Sequence, residues 1–424
     1  MILSESLLYA RQRQARKKPL AVGETCCPWK KITMKFTTAT STLEDTLSAG
    51  REVLGRVCAD LDGSPDLAFL FITPQHAPQF EEVATMIDGE LDASHLVGCT
   101  AEGVIGGGCE YERTPALTLW AAQLPGAKIS STHVRFEETA DGYVFLGLPP
   151  LDTASGSPTS LLLLGEPLSF PTELLLAHMA EDNPGIPVIG GMASGARSPG
   201  ENRLFWGSQL LVDGAIAVAV SGDVRVRPAV SQGCRPFGKS FIVTRSDGQL
   251  ILELGGRPIL EQLSEQLDLL SPYERTLARN LLIGVAIDAT KRTHQHGDFL
   301  VRNVLGINQE RGGLAITDSV RPGTTVQFHL RDAEAASEDL DLVLQRAIDD
   351  GSAPGGALIF SCNGRGQRLF STPHHDAVHF QRTFSSLPLA GFFAAGELGP
   401  VEGQNFLHGY TASIALFESS RPTS

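Results

Sequence analysis

One short phrase recurs three times in this chain: Gly, two variable residues, Ala, one variable residue, Gly. It reads Gly98-Cys99-Thr100-Ala101-Glu102-Gly103, then Gly190-Gly191-Met192-Ala193-Ser194-Gly195, then Gly391-Phe392-Phe393-Ala394-Ala395-Gly396. Each copy follows apolar residues, Leu96-Val97, Val188-Ile189 and Pro388-Leu389-Ala390. Small residues at such positions let another backbone or a ligand approach closely where a strand ends. Internal repetition of this kind reveals how a fold is assembled.

The surroundings repeat as well. An apolar strand precedes each copy, at Asp66–Thr73, Ser160–Gly165 and Gly356–Ser361. An amphipathic helix follows, at about Pro78–Leu91, Pro171–Glu181 and His375–Phe384, with Pro78 and Pro171 suited to a first helical turn. After the phrase comes a third strand, expected at Pro115–Gln123, Leu204–Leu211 and Gly409–Phe417. The strand start and the first motif glycine lie 32, 30 and 35 residues apart. A strand–helix–strand–strand unit is therefore expected three times, its first two strands joined by a right-handed crossover. The fold class that follows is α/β with mixed sheets, in two domains built from these units.

Between the second and third units the pattern changes. Ala215–Ser221 and Val224–Val230 read as strands, Arg257–Leu270 as a helix. Leu281–Ile287, Phe299–Ile307, Gly313–Asp318 and Thr324–Leu330 read as a strand meander, and Glu334–Asp349 as a helix with acids in its first turn. A boundary is placed at the Gly255-Gly256 break, and Thr153–Pro158 reads as a loop.

The formal charge is −14 over 424 residues, but residues 1–33 hold a surplus of five positive charges, leaving −19 on the remainder. So acidic a body argues against nucleic acid or an anionic membrane as partner, and the apolar runs are too short for a membrane span. The basic head lacks the pattern of a secretory signal. It reads as a disordered extension, or as the product of an upstream start codon with Met34 as the true beginning. Seven scattered cysteines form neither a disulfide framework nor a CxxC pair, which suits a reducing cytoplasm.

The run Leu96–Gly108 (LVGCTAEGVIGGG) and the stretch Val188–Gly195 resemble the N-terminal FIST domain. Phe299–Asn308 (FLVRNVLGIN), Thr324–Asp332 (TTVQFHLRD), Cys362–Gly366 (CNGRG) and Gly391–Gly399 (GFFAAGELG), followed by His408-Gly409-Tyr410-Thr411, are similar to the C-terminal FIST domain. The resemblance covers about residues 50–418, with the two domains at 34–255 and 256–424. It implies a prokaryotic sensory module for small ligands, amino acids or their derivatives among them. In bacteria such modules are also fused to signalling outputs. Here only the basic head and Glu418–Ser424 flank the resemblance, so a stand-alone bacterial protein acting through a separate signalling partner is expected.

Candidate ligand-binding residues cluster at the repeated strand ends: Cys99, Thr100, Glu102, Ser194, Arg203, Cys362, Asn363, Arg365, Glu397 and His408. Glu102 or Glu397 could receive an ammonium group, and Arg365 or Arg203 a carboxylate through a bidentate fork. The alternative is an internal Arg–Glu ion pair ordering two loops. Cys362, with Arg365 three residues on, or Cys99 could act as a nucleophile; equally, Cys362 could be a small buried side chain closing its strand. An adaptor that binds no ligand is a third possibility.

No cofactor and no metal site is expected. His294-Gln295-His296-Gly297-Asp298 and the pair His375/His379 lack companion ligands, and read as solvated histidines. Gly103–Gly108 lacks the Lys-Ser/Thr of a P-loop.

Overall fold

The computed structural model describes residues 33–151, 157–288, 291, 293–294 and 297–420. The basic head, most of the Thr153–Pro158 loop and His296 lie outside the described residues. The chain folds as an α/β protein with mixed sheets in two domains. Its repeat is richer than strand–helix–strand–strand.

Each unit opens with an additional lead strand. Unit one runs β1 (Lys35–Ser41), helix α1 (Thr46–Asp60), β2 (Leu67–Ile72), α2 (Phe80–Leu91), β3 (Leu96–Thr100), a hairpin β4 (Gly103–Gly106) and β5 (Cys109–Glu112), and β6 (Leu117–Gln123). Unit two runs β7 (Ala127–Thr139), β8 (Gly142–Leu146), β9 (Ser160–Gly165), α3 (Thr172–Asp182), β10 (Val188–Met192), hairpin β11 (Leu204–Trp206) and β12 (Gln209–Leu211), and β13 (Ala215–Gly222).

Unit three opens with β14 (Val224–Gln232) and then carries an insertion. This comprises β15 (Cys234–Asp247), β16 (Leu250–Leu254), β17 (Arg257–Pro258), α4 (Ile259–Asp268), α5 (Pro272–Leu277), β18 (Leu282–Ala286), β19 (Phe299–Asn308), β20 (Gly313–Ile316) and β21 (Thr325–Arg331). The unit resumes with α6 (Ala333–Asp349), β22 (Gly356–Cys362), α7 (His375–Thr383), β23 (Leu389–Ala394), hairpin β24 (Glu397–Val401) and β25 (Gln404–His408), and β26 (Thr411–Ser419).

Within each unit the two strands flanking the crossover helix are parallel: β2 with β3, β9 with β10, β22 with β23. The first motif glycine lies opposite an equivalent residue each time, Gly98 opposite Leu70, Gly190 opposite Leu163 and Gly391 opposite Ile359. A Cβ at any of the three would overlap the facing carbonyl oxygen, so the phrase begins with the one residue that lacks it.

The hairpins do not stay home. β11 pairs with β3 of unit one, β4 with β23 of unit three, and β24 with β10 of unit two. Each unit thus lends a hairpin to another unit's sheet, and the three exchanges close a ring. Leu204–Leu211, expected as the closing strand of unit two, is this exported hairpin; the strand that closes the unit is Ala215–Gly222. Turn residues with positive φ at Gly207 redirect the chain there, which the apolar pattern alone did not reveal.

Alternation along the strands explains their continuous apolar runs. Phe69, Phe71, Leu162, Leu164, Leu358 and Phe360 enter one central core shared by all three sheets. Their neighbours Leu70, Leu163 and Ile359 face outward under each unit's own helices. Strands covered on both faces carry apolar residues at every position. The insertion forms its own seven-stranded sheet, order β15-β21-β18-β19-β20-β16-β17, packed around α4 through Ile259 and Leu263. This is the expected meander; its helix starts at Ile259, because Arg257 and Pro258 pair with β16.

Candidate functional site

The three glycine phrases converge. Ser194 of the second accepts a hydrogen bond from the Glu102 N–H of the first, at 2.9 Å, and donates its hydroxyl to the Phe393 carbonyl of the third. Its own N–H donates to the Thr100 carbonyl at 3.2 Å. Ser194 is 9% exposed, so its hydroxyl serves as a knot between units.

The ends of the first strands differ between units. In the register that aligns the motif glycines, Thr73, Glu166 and Cys362 are equivalent. Thr73 satisfies its hydroxyl on the Ala116 backbone, donating at 3.2 Å and accepting at 2.9 Å. Buried Glu166 accepts from Asn202 Nδ2 at 3.1 Å and from the Leu168 N–H at 2.9 Å. Both positions are closed and complete.

Unit three is different. Arg365 is fully buried and forks onto Asp376, Nε to Oδ2 at 2.8 Å and Nη2 to Oδ1 at 2.7 Å, while Ser361 also donates to Asp376 at 2.7 Å. Burial alone would raise the Asp376 carboxyl, but the guanidinium overrides it and holds the group well below the usual carboxylate range. Glu397 accepts from the Thr411 hydroxyl at 2.9 Å and N–H at 3.2 Å, both on Oε2. Among the described residues its Oε1 has no hydrogen-bond partner, nor has Arg365 Nη1. Burial pushes the Glu397 carboxyl up to about 8 against the hydrogen bonds from Thr411. Between these groups sits Cys362, whose thiol burial drives upward, with Glu397 adding to the effect.

A cleft of about 380 Å³ opens next to this cluster, where the insertion meets unit three. Arg279, Asn280, Asn303, Arg331 and Tyr410 line it beside Val304. Gly364 joins cleft and cluster: a Cβ there would lie 3.5 Å from both Cys362 Sγ and Tyr410, and 3.6 Å from Arg331 Nη2. Arg331 donates to the Gly364 carbonyl and lies 5.5 Å over the Tyr410 ring, yet its buried Nε finds no acceptor among the described residues. Tyr410 holds φ at 65°, a left-handed conformation costly for a bulky residue. The Gly233 N–H bond to its carbonyl (3.1 Å) and its hydroxyl bond to Asn303 Oδ1 pin it there. Larger grooves of about 620 Å³ lie elsewhere, around Phe36 and Gln381 and around Pro184 and Arg225, but among the described residues no orphaned charged atom lines them.

Of the residues expected from the sequence, Cys362, Asn363, Arg365 and Glu397 gather here. Glu102 lines a separate small pocket with Glu112 and Arg113, paired there with Arg368, which also donates to the Asn363 carbonyl at 2.7 Å. The internal pair that orders these loops is Arg365–Asp376, with Arg368–Glu102 at the surface. Arg203 turns back onto the Gly200 and Asn202 carbonyls of its own loop, at 2.7 and 3.0 Å. Thr100 accepts from the Arg203 N–H at 2.9 Å, Cys99 is buried in the central core, and His408 contacts the Gly399 carbonyl at 2.9 Å. Arg279, Asn303, Arg331, Asp376 and Tyr410 were not singled out. Tyr410 stood inside the quoted His408–Thr411 stretch, and Arg331 at the end of an expected strand.

His375 corrects an expectation. It is not solvated but buried, stacked on Phe370 at 3.4 Å and on His379 at 4.2 Å. Its ring nitrogens contact Asp376 Oδ1 at 2.9 Å and Ser337 Oγ at 2.7 Å. That order mimics a Ser–His–Asp triad, but the Ser337 hydroxyl also has the Ala333 carbonyl of its own helix as an acceptor at 2.9 Å. Among the described residues no three His, Cys, Asp or Glu side chains converge as metal ligands, and no helix is long and apolar enough to cross a membrane.

Comparison with known proteins finds matches to two family models, the FIST N domain over residues 66–257 and the FIST C domain over residues 260–400. An uncharacterized protein of Mycobacterium tuberculosis (strain ATCC 25618 / H37Rv) is 41% identical over 387 residues, covering 91% of this chain and 100% of the relative. An uncharacterized protein of Mycobacterium bovis (strain ATCC BAA-935 / AF2122/97) is 40% identical over 389 residues, covering 91% and 99%.

Proposed function

We propose a sensory role for this chain, which belongs to the FIST family and carries its N and C domains in tandem. FIST domains are described as sensory, signal-transduction domains. The ligand is a small polar molecule, an amino acid or a related metabolite, seated in the cleft that Arg279, Asn303, Arg331 and Tyr410 line. The signal passes to a separate protein partner. Five free thiols among the described residues support a reducing compartment, the cytoplasm.

The observation that carries this reading is a set of three buried polar atoms without a partner among the described residues: Arg331 Nε in the cleft wall, and Arg365 Nη1 and Glu397 Oε1 in the cluster that Gly364 joins to it. Buried polar groups ordinarily find partners, and an orphan left in place at a cost in stability points to something that completes it. The positions equivalent to Cys362 in units one and two, Thr73 and Glu166, have their side-chain oxygens partnered.

Thermal-shift and calorimetric titration of the full chain with amino acids, organic acids and polyols tests the reading. A ligand at a hundred times its dissociation constant adds about 2.7 kcal/mol of stability. At least one compound should raise Tm in a concentration-dependent way, with the response lost in Asn303→Leu. A folded sample that responds to nothing in the panel overturns it.

A further inference from the structure

The lining of this cleft is at odds with the rest of the molecule. The chain carries a formal charge of −14, yet the cleft is lined by two arginines and by no carboxylate. A guanidinium has five N–H donors and no acceptor, so what buried Arg331 Nε lacks can only be an acceptor. Arg279 has no ion-pair partner among the described residues, although most arginines around it do: Arg235 with Glu274 and Asp332, Arg275 with Asp268, Arg302 with Asp318. Two cations are thus left without counter-charge on one small concavity. The ring of Tyr410 keeps the Arg331 guanidinium oriented, and a pre-oriented fork recognises carboxylate or phosphate oxygens through paired hydrogen bonds.

What is missing is equally informative. An amino acid brings an ammonium group that must find a counter-charge or a set of acceptors. The polar side chains beside the arginines are Asn280, Asn303 and Tyr410, all uncharged, and Asn303 Oδ1 already accepts from the Tyr410 hydroxyl. The buried carboxyl of Glu397 lies behind Cys362 with Oε2 occupied by Thr411, and burial keeps it protonated near neutral pH. An ammonium group in this cleft would face Arg279 and Arg331 with no carboxylate in the lining to offset the repulsion.

We propose that the cleft takes a small organic anion bearing no cationic group, a keto acid, hydroxy acid or phosphate ester, in preference to the matching amine. This rests on the sensory reading above and narrows its ligand class.

The test is calorimetric titration of the full chain with matched pairs: pyruvate and L-alanine, 2-oxoglutarate and L-glutamate, glycerol 3-phosphate and phosphoethanolamine, with glycerol as a neutral control. At least one amine-free anion should bind about tenfold or more tighter than its amine partner. The pair that responds separates carboxylate from phosphate as the recognised group. Arg279→Gln, an exposed substitution, should weaken that binding several-fold with Tm unchanged. Arg331→Lys, with its fold checked by circular dichroism, should abolish it. Equal or tighter binding of the amine overturns the inference while the sensory reading stands, as does binding of glycerol alone. An anion whose binding ignores both arginine substitutions also overturns it. A panel in which nothing binds removes both.

Discussion

The guanidinium of Arg365 and the carboxylate of Asp376 meet edge to edge, with both side chains sealed from solvent. Removing one member of such a pair strands the other as an uncompensated buried charge, which costs about 3–5 kcal/mol, whereas apolar replacement of both is far milder. Arg365→Met should therefore lower stability by about that amount, and Arg365→Met with Asp376→Leu should recover much of it. Urea denaturation of the wild type, Arg365→Met, Asp376→Leu and the double variant measures the coupling; additive losses would mean the pair does not act as a unit.

The thiols make a separate prediction. Burial raises Cys99, Cys362 and Cys234, the last to about 12, so little reactive thiolate exists at neutral pH. Iodoacetamide at pH 7.5 should alkylate exposed Cys58 and spare these three until the chain is unfolded. Mass spectrometry of the labelled peptides reads this out. Rapid native labelling of Cys362 would instead favour a thiol-dependent enzyme.

Two buried groups shape the pH dependence with opposite signs. Glu397 sits at about 8 in the fold against an ordinary 4.5. The folded chain keeps a proton that the unfolded chain releases, so this contribution to stability is intact below 4.5, declines through the window and is lost above about 8. His408 is pushed down by burial to about 4 from 6.5; its contribution is present above 6.5 and lost as pH falls through about 4. Melting curves of the wild type and Glu397→Gln from pH 4.5 to 9 should diverge, the variant gaining relative to the wild type as pH rises. His408→Gln should flatten the acid side instead. Parallel curves would refute the assignment.

The three motif glycines should behave alike. Ala at Gly98, Gly190 or Gly391 drives a Cβ into a neighbouring strand's carbonyl and should cost about 1–3 kcal/mol or more in each case. Gly55, in α1 with open space around it, is the control: Gly55→Ala should stabilise by about 0.5–1 kcal/mol. Denaturation midpoints for the four variants test the equivalence of the units.

The repeat and the meander were legible because both rest on local periodicity. Strand runs such as Leu67–Ile72 and Gly356–Cys362, and the Ala336/Leu340/Leu344 stripe of α6, carry their burial in the residues themselves. Hairpin exchange was not legible. Nothing in Leu204–Leu211 records that its hydrogen-bond partner is Val97–Cys99 rather than a strand of its own unit. The site was half legible for the same reason. Cys362, Arg365 and Glu397 lie on repeated strand ends, whereas Arg331 and Asn303 reach the cleft from an insertion whose docking depends on tertiary contacts. Asp376, one residue into a helix, looked like an ordinary helix-start acid.

The ring of lent hairpins also sets a schedule for the growing chain. Strand β4 leaves the ribosome long before its partner β23. Until residues 389–394 emerge, β4 has an open edge, and β10 likewise waits for β24. Unpaired edges of this kind invite association with other chains. Closing the sheets late in synthesis makes folding of the whole ring a high-contact-order event, slow by its topology. A chain built this way depends on its C-terminal strands to protect its N-terminal ones.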